Sequence, residues 1–462
     1  LKTIAQMPID KSNFKFQSHY TGLWSCINNP KEQFSGTLFI DQQKIWIELC
    51  YIDSRQELLE NIDSLDGCTY SIDSTGKETA VNIYAEGLKF IRYFRSGNGL
   101  NLMHYTYSVD CIYIYEGELH KDEISALTIK TKILDKWASP IMVGAYHNEV
   151  FRQLPSSHHA IYFVPPYPYT LLRSCDFFVE LKFHCQYHIG GINQGVEQSA
   201  FLYVSPHKRC SIIDFQTYVN QFHCLFFLLT NTIFPIDYMF CEDGYNTFIY
   251  KPNEQQLCRY IEAHENADSI TTSEDFSNEE IQSVFLKWVE LYKNYSDAIN
   301  TYFETLTNVY TSPASRIKNF ISSIDALTKE IKGNAGVVHP NSNRAKTLEN
   351  IFNRNILTSD EKNRLKGWLL QVKGTELKSR FSKMLEQISQ YLPTNWDADF
   401  VEKIVNTRNN ITHPYTKETF CFESSEYKKV SGELNYIIRV YLLSSIGAKE
   451  EIINKLMRYF FY

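Results

Sequence analysis

The residues of this chain best suited to chemistry are Arg408, Asn409 and His413, in the run Arg408-Asn409-Asn410-Ile411-Thr412-His413 that Pro414 follows at once. Histidine titrates near neutral pH and can take or give a proton. Arginine carries a fixed charge whose planar fork matches a phosphate. An asparagine beside them can orient the imidazole or bind a phosphate oxygen. Together they suit metal-free cleavage of RNA. A base takes the proton of the ribose 2′-OH, the arginine stabilises the pentacovalent phosphate, and an acid serves the leaving 5′-oxygen. DNA lacks the 2′-OH and would be spared. The same trio also fits a capped helix end with a solvated arginine and a histidine bonded to a carbonyl, and spacing alone does not choose between the two.

The preceding stretch, 397–407, has a helical pattern. Phe400, Val401, Ile404, Val405 and Ile411 recur at spacings of three and four and share one stripe. Arg408 falls at the edge of that stripe, where an arginine needs a partner. Asn409 and His413 are four apart and can meet on one face. Pro414 disfavours helical geometry at His413, so the helix is expected to end there. Upstream, Ser312-Pro313 makes a helix start, with Ile317, Phe320, Ile321, Ile324, Leu327 and Ile331 as its stripe and Gly333 as its stop. Asp325 lies at the margin of that stripe. If the two helices pack, it can pair with Arg408; otherwise it is a surface carboxylate.

An arginine, a polar residue, three variable residues and a histidine late on a helix resemble the HEPN ribonuclease motif. The phrase VEKIVNTRNNITHP (401–414) is most similar to the HEPN domain of ApeA-type abortive-infection proteins. The segment 312–333 is similar to the first HEPN helix of that group, and FSGTLFIDQQKIWIEL (34–49) resembles its opening β-segment. The resemblance implies that Arg408 and His413 are catalytic, that Asn409 is the polar neighbour of the arginine, and that Asp325 supports them. It also implies a role in phage defence, a structured RNA such as tRNA as substrate, an N-terminal sensor answering a phage-derived trigger, and pairing of two HEPN bundles in a homodimer. The chain departs from the family after the histidine, where Pro414 stands before the aromatic Tyr415. That departure bears on the pose of His413 rather than on the identity of the site. A HEPN bundle that binds nucleotide or RNA without cutting, with the β region as ligand receptor, is the alternative reading.

The chain has 462 residues, 44% of them hydrophobic and 21% charged, which is the balance of a globular protein of several domains. No apolar run approaches the ~20 residues that span a bilayer, and the first residues lack the apolar core of a signal peptide. A soluble cytoplasmic protein without membrane contact is expected. Eleven scattered cysteines include no closely spaced pair. His184-Cys185 with His188, and His223-Cys224, lie in apolar stretches and read as core residues, so neither metal nor cofactor is expected. Charge is unevenly placed. Residues 312–462 carry 23 Lys and Arg against 16 Asp and Glu, a net of +7, whereas 1–311 carry 23 against 37, a net of −14. The basic part could attract RNA, with Lys362, Arg364, Lys366, Lys373, Lys378, Arg380 and Lys383 as candidate phosphate contacts or, equally, a solvated helix face.

The fold class expected is α+β and multidomain. Residues 1–135 read as a β-rich, sandwich- or barrel-like domain, and 136–232 as a second β-rich segment closing with a packing helix, its pattern running over 212–234 up to Pro235. Residues 233–311 read as a helical connector, with a helix from about 277 to 310, and 312–462 as an all-α bundle of HEPN type. Further helices are expected at 346–356, 359–372, 375–391 and 427–460, and loops at 333–346 and around the glycines of GGINQG (190–195), where phosphate binding is rejected. Two +7 bundles repel, so a dimer needs apolar contact, for which Leu456, Met457, Tyr459, Phe460, Phe461 and Tyr462 are available.

Overall fold

The computed structural model describes residues 18–27, 29–41, 44–52, 62–72, 78–95, 102–115, 119, 123–138, 142–144, 162–164, 168–174, 176–188, 195–231, 236–241, 247–251, 271–308, 310–331, 350–351, 358, 361, 377–393, 396–413 and 419–461. The chain divides into two compact units, residues 1–288 and 289–462.

The first unit is built on antiparallel strands: β1 (His19–Cys26), β2 (Asn29–Ile40), β3 (Ile45–Ile52), β4 (Ser64–Ile72), β5 (Glu78–Glu86), β6 (Lys89–Arg95), β7 (Leu102–Val109), β8 (Cys111–Tyr115), β9 (Leu127–Thr131), β10 (Met142–Gly144), β11 (Tyr162–Val164), β12 (Tyr169–Arg173), β13 (Phe177–His188), β14 (Gly195–Pro206), β15 (Ile236–Cys241) and β16 (Thr247–Tyr250). Fourteen of them form one sheet, in the order β12-β13-β14-β9-β15-β16-β8-β5-β4-β1-β2-β3-β7-β6; β10 and β11 pair by themselves. Alternation explains the inner face. Ile45, Ile47 and Leu49 of β3 are buried, as are Val81, Ile83 and Ala85 of β5, because residues two apart share a face. These side chains join one core with Phe240, Phe248 and Tyr250. The Tyr250 hydroxyl donates to the carbonyl of Asp41 at 3.0 Å, although β2 and β16 are five places apart in the sheet order. The sheet therefore curls over its own core.

Two helices, α1 (Lys132–Trp137) and α2 (Ile212–Thr230), form a second core. Trp137 meets Phe226 edge-on at 5.2 Å. The long helix α3 (Asn278–Thr307) contributes Phe285, 5.8 Å from Phe222, and Trp288, whose indole donates to the Gln221 carbonyl at 2.9 Å. One sheet runs through the expected boundary at 135. The strands β15 and β16 fall in the stretch read as a helical connector. Thr247, Phe248, Ile249 and Tyr250 are all buried, so β16 shows no alternation, and an unbroken apolar run of four does not distinguish strand from helix.

The second unit holds α4 (Pro313–Leu327), α5 (Leu377–Gln387), α6 (Ala398–Thr412), α7 (Tyr427–Ser445) and α8 (Glu450–Phe461). Ser312 caps α4 with its hydroxyl accepting from Ser315 N, and Ile317, Phe320, Ile321, Ile324 and Leu327 are buried as the spacing predicts. This helix ends at Leu327, earlier than Gly333; the Thr328 hydroxyl folds back onto the Ile324 carbonyl at 2.7 Å. The single helix expected over 427–460 is two. Gly447 adopts φ +74°, and Ala448 N donates to Leu443 O at 2.9 Å, a left-handed glycine stop that a side chain would strain. Expected features at 333–346, 346–356 and 359–372, and the GGINQG stretch, lie outside the described residues apart from isolated positions. So do the side chains of residues 456–462.

Trp24 sets a tight tolerance in the first core. It pairs across strands with Gly67, and a Cβ on Gly67 would stand 2.5 Å from the indole Cε3. Gly67→Ala is expected to destabilise this unit by roughly 1–3 kcal/mol through overpacking. Thermal denaturation checks it, and an unchanged midpoint refutes the packing argument.

Candidate functional site

Helix α6 begins at Asp397, whose carboxylate accepts from Asp399 N at 3.0 Å and Phe400 N at 3.1 Å, so the first turn is capped by its own sequence. Its fully buried line is narrow: Val401, Ile404 and Thr407. Phe400 stacks on Trp396 at 5.2 Å, and Trp396 meets Tyr436 of α7 edge-on at 5.9 Å. Burial raises the Tyr436 phenol above its ordinary pKa, and its hydroxyl donates to the Tyr391 carbonyl at 2.8 Å. These contacts fix where the helix starts and which face it turns inward.

The helix ends where the sequence predicts. His413 is the C-cap residue, at φ −127° and ψ 79°, and its N–H donates to the Asn409 carbonyl at 2.7 Å. Its side chain is exposed. Pro414 follows, and the pre-proline position avoids the helical region for steric reasons. Arg408 is half-buried. One Nη donates to Asn409 Oδ1 at 3.3 Å, while its Nε is buried with no hydrogen-bond partner among the described residues. The Thr412 hydroxyl, one turn on, is also buried and without a partner among the described residues. The structure thus brings Arg408 and Asn409 together side chain to side chain, and ties Asn409 to His413 through the backbone.

The expected ion pair between Asp325 and Arg408 does not form. Asp325 pairs with Arg380 of α5. The same guanidinium donates to the Asp325 carbonyl at 2.9 Å and approaches the Thr328 hydroxyl at 3.5 Å. The reason lies in the end of α4. Its last carbonyls lack helical donors, and a cation placed there satisfies carbonyl and carboxylate together. Among the described residues Arg408 has no carboxylate within ion-pair distance.

Two of the candidate phosphate contacts are occupied inside the helical unit. Arg380 holds the end of α4, and Lys378 pairs with Glu402 of α6. Lys383 is half-buried. Lys362, Arg364, Lys366 and Lys373 lie outside the described residues. A cavity of about 440 Å³, lined by Leu385, Trp396, Asp397 and Val401 among others, sits at the start of α6. That is about 20 Å from His413 along a helix of this length, so it is not part of the motif end.

Three residues missed in the sequence hold the chain that returns after the motif. Asn406 Nδ2 donates to the Phe420 carbonyl at 3.0 Å. The Thr407 hydroxyl donates to Lys403 O at 2.7 Å and accepts from Phe422 N at 2.8 Å. Asn410 Nδ2 lies 3.2 Å from Cys421 Sγ. The second asparagine of the motif is thus a clasp. Its signal was a polar residue at i, i+1 and i+4 on a helix otherwise patterned for burial. Arg439 was missed too. It is 1% exposed, the one fully buried cation among the described residues, and it sits in an apolar run that hides it. Among the described residues no three His, Cys, Asp or Glu side chains group as metal ligands, and no helix is long and apolar enough to cross a membrane.

A large antiparallel sheet followed by a helical unit that ends one helix in Arg-Asn-Asn-Ile-Thr-His defines a protein of HEPN type. Residues 318–452 match the model of the Apea-like HEPN domain, and residues 19–288 match that of ApeA N-terminal domain 1. The chain belongs to the ApeA-type HEPN family, a family of defence-related HEPN-domain proteins. No curated protein and no solved structure matches it.

The clasp has a measurable weight. Thr407→Val removes the acceptor of a part-buried N–H and is expected to cost about 1–3 kcal/mol, whereas Thr407→Ser retains most of the stability. Chemical denaturation of the two variants decides it, and equal stability of Thr407→Val and the parent chain overturns the assignment.

Proposed function

We propose that the chain is a metal-independent endoribonuclease acting in anti-phage abortive infection. The observation that carries this reading is the end of α6, where the exposed His413 and an Arg408 without a carboxylate partner among the described residues share one helix terminus. His413 takes the proton of a ribose 2′-OH, and the oxygen attacks the adjacent phosphorus. The bond to the 5′-oxygen breaks, leaving a 2′,3′-cyclic phosphate and a 5′-hydroxyl. Arg408 faces the charge that builds on the phosphate, and its weak contact to Asn409 leaves donors to give. Asn409 keeps the guanidinium aimed. Asp325 supports the site through Arg380, by fixing α5 against the end of α4. Structured RNA such as tRNA is the substrate, and the N-terminal sheet unit is the sensor that restrains cleavage until a phage-derived trigger arrives.

Purified protein incubated with total RNA in EDTA is expected to cleave it and to leave cyclic-phosphate ends. Strict dependence on Mg²⁺ with 5′-phosphate ends would sink the mechanism. His413→Ala and Arg408→Ala are each expected to lower cleavage by about 10²–10⁴-fold while RNA binding persists. Binding without any cleavage by the parent chain would favour the alternative, a non-catalytic RNA- or nucleotide-binding module.

Acid–base cleavage needs one group to accept a proton and another to donate one, and the chain carries a single such motif. We therefore place the site at a two-fold axis, with His413 of two copies across one basic groove. Mixing His413→Ala with the parent chain is expected to lower activity below that of the parent fraction alone. A fully active monomer on light scattering ends this part of the proposal.

A further inference from the structure

Strand β6 ends the fourteen-stranded order and pairs on one side only, with β7. Its other side presents backbone N–H and C=O groups without partners among the described residues. Natural sheets usually blunt such an edge, and the opposite end does so: β12 is short, and its Leu171 and Leu172 are buried. The β6 edge has a register shift and the exposed Arg92, yet no strand covers it among the described residues and it keeps large apolar side chains exposed. Phe90 is 40% exposed, Ile91 53%, Tyr93 48% and Phe94 52%.

A register shift between Phe90 and Arg92 divides these side chains between the two faces. Phe90 meets Tyr107 edge-on at 5.8 Å, and Tyr93 lies 6.1 Å from Tyr105 on the same face. Phe94 stacks on His104 at 4.4 Å on the other. Each ring is thus supported from behind by β7 and open on its outer side. Such preset rings lose little freedom on binding.

The charge on this edge argues for its occupant. Lys89-Phe-Ile-Arg-Tyr-Phe-Arg95 has three cations and no acid, inside a stretch of net −14 over residues 1–311. Lys89 is bound to Asp110 at 2.9 Å, while Arg92 is exposed. Antiparallel pairing of two copies in full overlap would set Arg92 against Arg92 and Lys89 against Arg95, and like charges directly opposite destabilise a ladder. A strand with carboxylates in those places reverses the sign.

We propose that β6 is a docking edge for an extended segment of another protein, rich in Asp or Glu alternating with aromatic or β-branched residues, which adds to the sheet beyond its fourteen strands. Main-chain bonds supply the pairing, Arg92 selects for acid on one face, and the rings of Phe90 and Tyr93 select for apolar neighbours on the other. The inference stands apart from RNA cleavage, because it concerns the sheet unit and is read without RNA.

Fluorescence anisotropy tests it on the full chain, with a labelled peptide repeating Glu-Val-Glu-Tyr as the probe. Saturable binding is expected. It should vanish when the glutamates become lysines, and when alternate residues become proline, which removes the strand's donors. Arg92→Glu should weaken it about fivefold or more, and Tyr93→Ser, on the apolar face, likewise; both positions are exposed, so circular dichroism should be unchanged. The proposal is overturned by absence of saturable binding, by equal binding of the proline peptide, or by an undisturbed Arg92→Glu. It is also overturned by a concentration-dependent dimer that Tyr93→Ser disperses and the peptide does not, which would give the edge to a second copy.

Discussion

Helix α6 is buried along Val401, Ile404 and Thr407 and little else, and the helical unit is arranged around keeping that line inward. Beside a stripe this narrow, polar contacts complete the hold. They come from outside. The chain that follows the motif turns back, and its Phe420 carbonyl, Cys421 thiol and Phe422 N–H settle on Asn406, Asn410 and Thr407. Lys403 then lies over the Phe422 ring at 4.3 Å. The helix that ends in His413 is thus held by apolar packing and by hydrogen bonds together, and Thr407 belongs to both its buried line and its polar contacts. Arg408 is half-buried, with a single polar contact among the described residues.

The competition for Asp325 follows from the same geometry. Two arginines could claim this carboxylate, and Arg380 holds it because the carbonyl of Asp325 and the Thr328 hydroxyl lie within the same fork. A bidentate or tridentate site outweighs one exposed ion pair. Arg408 is left with Asn409. For a residue proposed to meet a phosphate this matters, since a guanidinium already saturated by a carboxylate has fewer donors for a ligand and a diminished charge.

The first unit solves a different problem. A sheet of fourteen strands has two ends, and curling over one core protects only what lies between them. One end is short, with Leu171 and Leu172 buried. The other keeps its aromatic rings in the open. Membership of the ApeA-type family accounts for the presence of both units in one chain; it does not by itself explain an edge of this kind, which in a fold of no further use would be a liability.

Much of this was legible in the residues. The Ser312-Pro313 start and the five buried positions of α4, and the stop at His413 before Pro414, follow from local sterics and period, which act over a few residues and are written in the chain. The β hairpins of the first unit are legible for the same reason. What the sequence alone did not decide is what approaches from far away. The strand β16, buried at all four positions, carries no alternation, and β15 is half-buried over its first three residues and buried over its last three. The break at Gly447 depends on which carbonyl the next turn can reach. Asp325 looked equally able to face Arg408 or solvent, and only packing α5 against the end of α4 brought Arg380 within reach of it. Asn410 is indistinguishable from Asn409 as a letter; the segment folded back from position 420 is what makes one a clasp and leaves the other beside the arginine. Residue types and spacing determined which side chains could do chemistry. Tertiary contacts between residues remote in sequence decided which of them are already committed to holding the structure together.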